Sequence, residues 1–217
     1  VRSYTAGNPC DVATTNGQVR ANFVILACTG YLGELSSEVA ARVMPINNYI
    51  IATEPLGEEM ARQLIRDDVA VADSRFVVNY YRLSADKRML FGGRENYSYS
   101  FPRDINGFVA KAMLEIYPQL KDARIDYGWG GTLAITMNRM PHLARLAPNV
   151  LSASGYSGHG VAMATIAGKL LADAISSTSA GFDVMEKVPT RRFPGGAMLR
   201  WPALVLAMTW YSLRDRL

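Results

Sequence analysis

The sequence predicts a mixed α/β fold, and three observations predict it. A short apolar run from Asn149 to Ser154 leads into the closely spaced glycines Gly155, Gly158 and Gly160. It continues into a proline-free, nearly uncharged stretch ending at Ile175, which is the pattern of strand, tight loop and buried helix. Residues 44–93 alternate apolar runs with short polar turns, as an antiparallel sheet does. With 217 residues, 49% hydrophobic and 19% charged, the chain can bury a core as one large domain or two modest ones.

Taken in order, the chain begins without an initiating methionine, so a segment of a longer protein is expected. Val12 to Ala21 reads as a hairpin turning at Asn16-Gly17, followed by the strand Phe23-Val24-Ile25-Leu26-Ala27-Cys28. Thr29-Gly30 closes that strand, either as a plain strand-to-loop glycine or as a point where a ligand phosphate or sugar meets the backbone. Strands are expected at Asn48 to Thr53, Phe76 to Leu83 and Arg88 to Gly93, with the turn Ser84-Ala85-Asp86-Lys87 between the last two. One face of such a sheet can wall a pocket. Tyr49, Tyr80, Tyr81, Tyr97 and Tyr99 are candidates to line it, with core packing as the alternative for each.

A helix is expected from Ile105 to Tyr117, stopped by Pro118 and carrying Phe108, Ala112 and Ile116 at helical spacing. Asp126 to Thr136 returns as a strand, and Asn138-Arg139-Met140-Pro141-His142 forms the turn before the glycine-rich stretch. That stretch aims backbone N–H groups and the positive end of a helix dipole at whatever lies before Gly160. Gly160, Ala164, Gly168 and Ala172 leave a smooth helix face able to approach a sheet or a flat ring, as in ordinary helix-on-sheet packing or in ligand binding.

Composition removes several functions. The net charge of +4 has its excess near the C-terminus, at Arg191, Arg192, Arg200, Arg214 and Arg216, while both signs alternate elsewhere, which argues against a nucleic-acid groove. Cys10, Cys28, His142 and His159 are too few and too scattered for a metal cluster, and a reducing cytoplasm is expected. No apolar run reaches the roughly 18 residues needed to span a bilayer. The tail from Trp201 to Leu213, flanked by Arg200, Arg214 and Arg216, is expected to dock on the protein, with a membrane surface as the alternative.

Gly155, Gly158 and Gly160 reverse the dinucleotide spacing G-x-G-x-x-G, so binding of NAD by this chain is not expected. Gly155-Tyr156-Ser157-Gly158-His159 approaches the hydrolase elbow G-x-S-x-G but fails at its last position, and no histidine lies well downstream of Ser157. His159 is either a hydrogen-bonded structural residue of the turn or a member of a site. No paired carboxylates and no nucleophile with a base can be assembled here, so an enzyme built on these residues would draw its chemistry from a cofactor.

Ala153 to Gly160, preceded by Trp129-Gly130-Gly131 and Asn138-Arg139-Met140-Pro141, resembles the C-terminal half of FAD-dependent amine and amino-acid oxidases of the D-amino-acid oxidase superfamily. With Arg191-Arg192-Phe193-Pro194-Gly195-Gly196 and Leu199-Arg200-Trp201-Pro202 included, it is most similar to the γ-glutamylputrescine oxidoreductases. The resemblance implies a partial FAD-binding domain, 1–44 and 126–217, interleaved with an antiparallel-sheet substrate domain, 45–125. The family's N-terminal fingerprint lies outside this sequence, so a missing N-terminal half is the implied partner.

By the same resemblance, Gly155, Tyr156, Ser157, Gly158, His159, Gly160 and Val161 sit at the pyrimidine edge of the flavin. Thr29 and Gly30 lie near the diphosphate and Gly130 near the cofactor. Trp129 and His159 are catalytic candidates, and because an alkylammonium is attracted to ring faces, Trp129 and some of Tyr49, Tyr80 and Tyr81 are expected to form an aromatic wall that binds the substrate over the flavin. Glycine-oxidase-like members carry an arginine where Leu133 stands, so an amine such as γ-glutamylputrescine is expected rather than a simple α-amino acid. Covalent attachment uses a cysteine shortly before the glycine-rich turn, and none follows Cys28, so FAD should be non-covalent. The implied reaction moves hydride from the carbon beside the substrate nitrogen to flavin, with hydrolysis of the imine and reoxidation by O2, releasing peroxide, or by another acceptor. A non-catalytic interaction or scaffold fragment of the same fold is the alternative.

Overall fold

Asn16-Gly17 turns the chain as a tight hairpin must. Strands β1 (Ser3–Thr5), β2 (Cys10–Ala13) and β3 (Gln18–Ala21) form an antiparallel sheet, with Ala13 opposite Gln18 and Thr14 N–H donating to Gly17 O at 2.8 Å. The computed structural model describes residues 1–75, 77–96, 100–196, 198–199, 201–202, 205–206 and 210. The expectations for Phe76, Tyr97 and Tyr99, and for Arg200, Arg214, Arg216 and most of the tail, lie outside the described residues.

Strand β4 (Val24–Leu26) is shorter than the apolar run suggests, because the chain leaves it through a single 3-10 turn at Thr29–Tyr31. Helix α1 (Ser37–Ala40) is capped by Ser36, whose hydroxyl accepts from Val39 N–H. Strand β5 (Met44–Thr53) begins four residues before the expected Asn48 and leads to helix α2 (Gly57–Leu64), which sequence reasoning did not single out. Glu58 and Glu59 in its first turn and Arg62 in its last complement the helix dipole.

Strands β6 (Val71–Ala72), β7 (Tyr80–Leu83) and β8 (Met89–Asn96) follow, then helix α3 (Ile105–Ile116). Asp104 caps α3 by accepting from Gly107 N–H at 2.9 Å, and Pro118 prevents its continuation. Strand β9 (Ile125–Ile135) is next. His142, expected in a turn, instead opens strand β10 (His142–Ala147), which pairs antiparallel with β11 (Val150–Ser154). Helices α4 (Gly160–Ile175) and α5 (Ala180–Glu186) complete the described elements.

These elements build two compact units. One contains Val1–Pro45 and the return segment that starts at Thr132; the other is built on Ile46–Gly131. The breaks at Pro45/Ile46 and Gly131/Thr132 fall inside strands, in β5 and in β9.

In the first unit β11 lies between β10 and β4, parallel to β4 with Val150 opposite Val24. All five β11 residues are buried, as expected of a strand covered on both faces. Leu143, Leu151 and Ala153 pack with Ala167, Leu171 and Phe182 of the two helices. Each larger apolar side chain so buried contributes about 1.5–3 kcal/mol. Helix α4 therefore presents Ala167 and Leu171 to the core, and its small-residue row does not pack there. Ala164, Gly168 and Ala172 are exposed, and nothing lies within 4 Å of where a Gly168 Cβ would stand.

In the second unit the strand order is β6-β7-β8-β5-β9, with the first four antiparallel. Tyr49, Ile51, Leu83, Met89 and Phe91 bury one face against Val109, Ala112 and Met113 of α3. Among the described residues no helix is long and apolar enough to cross a membrane, and no group of three or more His, Cys, Asp or Glu side chains could hold a metal ion.

Candidate functional site

The glycine-rich turn is built from residues in left-handed backbone conformation: Gly155 (φ +71°), Ser157 (φ +51°) and Gly158 (φ +93°). A Cβ at Gly155 would stand 2.5 Å from Thr136 Cγ2, so close approach requires glycine there. Ser157 then ties the turn to the end of β9. Its N–H donates to Ala134 O at 3.0 Å, and its hydroxyl accepts from Thr136 N–H at 3.2 Å. That hydroxyl donates to Gly155 O at 3.2 Å and lies 3.3 Å from Thr136 Oγ1, which itself donates to Met140 O at 2.7 Å. Ser157 is buried, so its side chain holds the turn and offers nothing to a ligand. Tyr156 is half-buried against the α4–α5 core, and burial raises its phenol above the ordinary tyrosine range.

What the turn does offer is backbone. His159 is the N-cap of α4 but makes no capping hydrogen bond, and the first helical turn holds no acidic residue. Gly158 and His159 are exposed, and Val161 is 98% exposed. Nothing lies within 4 Å of a Cβ built on Gly158, so a flat group can come against the backbone there. The start of a 16-residue helix without a capping side chain presents amide donors and positive potential together. It suits the negative charge that a reduced flavin carries on its pyrimidine edge, so the residues present fit such a group.

Thr29 and Gly30 pack on the same stretch of β9. A Cβ on Gly30 would stand 2.6 Å from both Thr132 O and Leu133 O, which explains that glycine by packing alone. The adjoining cavity, lined by Thr29, Gly30, Leu32, Gly33, Ala40, Val43 and Pro45, holds about 10 Å3, room for a single water. Thr29 is left-handed (φ +48°), an uncommon state for a β-branched residue. Tyr31 Oη accepts from Thr132 N–H at 2.9 Å, and hydrogen bonding with Thr132 holds its phenol below the usual range.

In the second unit the sheet separates the aromatic candidates by face. Tyr49 is fully buried, with its ring edge-on to Phe101 and Phe108, and Tyr81 stacks on Phe91 at 5.3 Å. Both belong to the α3 side, and the expectation that they line a pocket gives way to core packing. Gly130 faces the same way, since a Cβ there would stand 2.7 Å from the Tyr49 ring. By strand alternation Trp129 points to the opposite face, where it is 46% exposed.

Tyr80 occupies that open face too, because it pairs with Gly92, which pairs with Ile50. Its ring lies over Gly92, and its hydroxyl donates to Asn48 Oδ1 at 2.5 Å. The row Tyr80, Asn48, Trp129 thus crosses the open face from β7 to β9. The register shifts between Asn48 and Tyr49, where Arg94 (φ +58°) is the unmatched residue, so β8 is the bulged strand and bends there. Sequence reasoning missed Asn48 and Thr136. The signals available were a polar pair, Asn47-Asn48, inside an apolar strand and a hydroxyl at the strand end before Asn138.

His142 and Ser154 are cross-strand partners on β10 and β11. Both are buried, and His142 Nδ1 and Ser154 Oγ have no hydrogen-bond partner among the described residues. Burial, and then the nearby Arg42 charge, lowers the His142 imidazole to about 4, so it is neutral at physiological pH.

Residues 1–174 match a family model described as FAD dependent oxidoreductase. The chain is 42% identical over 210 residues to γ-glutamylputrescine oxidoreductase of Escherichia coli K12, covering 96% of this chain and 49% of that protein. It is also 42% identical to probable oxidoreductase OrdL of Rhizobium meliloti, over 97% of this chain and 49% of the relative. The chain thus spans about half the length of the curated relatives it matches. Among solved structures, glycine oxidase from Geobacillus kaustophilus superposes with a TM-score of 0.71 at 17% identity, over 89% of this chain and 52% of that one. L-proline dehydrogenase from P. horikoshii gives 0.64 at 20% identity, over 85% and 51%. At such identities these two speak for the fold.

Proposed function

The chain belongs to the FAD-dependent oxidoreductase family of the D-amino-acid oxidase type, and on that premise we propose that it is the C-terminal portion of an amine oxidoreductase acting on an amine such as γ-glutamylputrescine. The observation that carries the reading is the uncapped, exposed start of α4 behind a turn locked by Ser157 and Thr136. Bound there without a covalent link, FAD would supply the two-electron acceptor. Backbone N–H groups from Gly158 to Val161 would hold its pyrimidine edge and favour charge on it. The exposed His159 would lie beside them, and Thr29 and Gly30 nearer the diphosphate.

A FAD-binding part, 1–44 and 126–217, would carry an inserted substrate part, 45–125; the breaks at Pro45/Ile46 and Gly131/Thr132 support that arrangement, although 126–131 and Val205 group with the inserted unit. Trp129 and Tyr80 on the open sheet face would accept the alkylamine, each well-placed ring contributing about 0.5–2 kcal/mol toward an ammonium. Removing the amine proton leaves the nitrogen lone pair to assist departure of hydride from the adjacent carbon, so no protein nucleophile is required. The product imine would be hydrolysed by water, with O2 or another acceptor taking the electrons. The remaining half of the relatives' length would complete the cofactor site. The free thiols of Cys10 and Cys28 support a reducing, cytoplasmic setting.

Steady-state kinetics of the full-length enzyme test this reading. Trp129→Ala should raise KM for the amine about 3- to 30-fold, the equivalent of one lost ring contact, while leaving the bound flavin spectrum in place. Unchanged amine kinetics would remove Trp129 from the site. A full-length protein that is flavin-free and oxidises no amine would overturn the function itself.

A further inference from the structure

We propose that Asn48, oriented by Tyr80, determines specificity for an N-acylated amine over the free diamine. The inference rests on the amine-oxidoreductase reading and adds the residue that reads the far end of the substrate. The two amines differ at one place. An acylated diamine presents a neutral carbonyl acceptor where the free diamine presents an ammonium, which has only donors.

A site separates them by what it offers at that place, and the open sheet face offers a donor. The Tyr80 ring is seated over Gly92, so its hydroxyl is carried across β8 to Asn48 Oδ1. With that oxygen engaged by the tyrosine donor, the Nδ2 end of the carboxamide is the one left to donate. Nδ2 makes no hydrogen bond among the described residues. Asn48 sits in an otherwise largely apolar β5, beside the bulge that leaves Arg94 unmatched. Trp129 lies on the adjoining strand and, by strand alternation from Gly130, on the same face, where it can meet the other end of a short alkyl diamine.

With one amine end against Trp129, the other end therefore meets N–H donors. A carbonyl accepts from them, whereas an ammonium is left facing like dipoles and loses its water. The arrangement selects for the acylated compound and against the free one with the same atoms.

The test compares kcat/KM for γ-glutamylputrescine and for putrescine in the full-length, flavin-replete enzyme. Asn48→Leu removes the donors and should lower the acylated-to-free ratio roughly 2- to 13-fold, the effect of one lost hydrogen bond. Asn48→Asp keeps the shape and still accepts the Tyr80 hydroxyl, but replaces the donors with a negative charge. It should lower the ratio further than Leu does, by improving putrescine as well as weakening the acylated amine. Tyr80→Phe keeps the ring over Gly92, frees the carboxamide to rotate and should move the ratio in the same direction by less. A flavin-replete enzyme that oxidises the acylated amine with an unchanged ratio in Asn48→Asp overturns the role of Asn48 and leaves the parent reading intact. An enzyme that binds flavin but oxidises neither amine overturns the parent reading.

Discussion

Removing the Ser157 hydroxyl tests the locked turn directly. In Ser157→Ala, Thr136 N–H loses its acceptor and Gly155 O loses a donor, both behind a residue only 4% exposed, so water does not readily replace them. An unsatisfied buried donor costs about 1–3 kcal/mol, and the weaker Ser157–Thr136 Oγ1 contact adds little. The left-handed φ of +51° is kept by alanine, so that strain is the same in both proteins. Ser157→Gly loses the same hydroxyl but relieves the strain, recovering about 1 kcal/mol. The prediction is an ordered pair: alanine destabilises the full-length enzyme by about 1–3 kcal/mol in denaturant unfolding, and glycine by less. FAD affinity, followed by flavin fluorescence, should fall in both, because the turn that fixes the first amides of α4 has lost its side-chain tie to Thr136 and keeps only the backbone bond from Ser157 N–H to Ala134 O. If alanine shifts unfolding by less than about 0.5 kcal/mol, the hydroxyl is not the lock and the geometric argument fails.

Two further perturbations address charge. Because the His142 imidazole is lowered to about 4, the folded protein keeps it neutral while an unfolded chain takes up a proton near pH 6.5. Its contribution to stability is thus complete above pH 6.5 and is lost as pH falls toward 4, with a ceiling of about 3 kcal/mol. His142→Gln should flatten the acid side of the stability-against-pH curve of the full-length enzyme, and an unaltered curve would refute the burial argument. Val161→Asp places a carboxylate at a fully exposed position in the first turn of α4, where it should stabilise the helix by about 0.3–1 kcal/mol. If the flavin lies there, the same charge should weaken FAD binding and lower the reduction potential. A more stable protein with unchanged flavin properties would mean that this helix end faces something else.

Much of the fold was legible because local chemistry and tertiary packing agree. Asn16-Gly17 forms its hairpin, Asp104 and Pro118 bound α3, and the run after Gly160 is a helix to Ile175. Strand β10 was hidden because its burial alternates weakly and Pro141 draws attention to a turn. Helix α2 was hidden by its polarity, burying little beyond Ala61. The small-residue row of α4 was visible as a pattern, but which helix face meets the sheet depends on Leu143, Leu151 and Phe182, distant in sequence.

The candidate site was partly legible for the same reason. The glycines marked the turn, whereas the inward direction of Ser157 follows from its contact with Thr136, 21 residues away. Tyr80 and Tyr81 show the limit most plainly: adjacent and alike in sequence, they fall on opposite faces because a strand alternates, and periodicity alone does not say which face is open.

The parallel pairing of Val24 with Val150 has a bearing on how such a chain can diversify. Everything from Ile46 to Gly131 lies between those partners, so for the β4–β11 ladder this inserted stretch acts as part of one long closing loop. The entropy of closing a loop grows only logarithmically, about 0.6 kcal/mol for each doubling in length. Lengthening the turns of the five-stranded sheet, or exchanging it for a sheet of another size, leaves that ladder almost as easy to close as before. The scaffold around the glycine-rich turn is therefore thermodynamically indifferent to the size of what is inserted in it, and new specificities can be explored in the insert without renegotiating the register of β11.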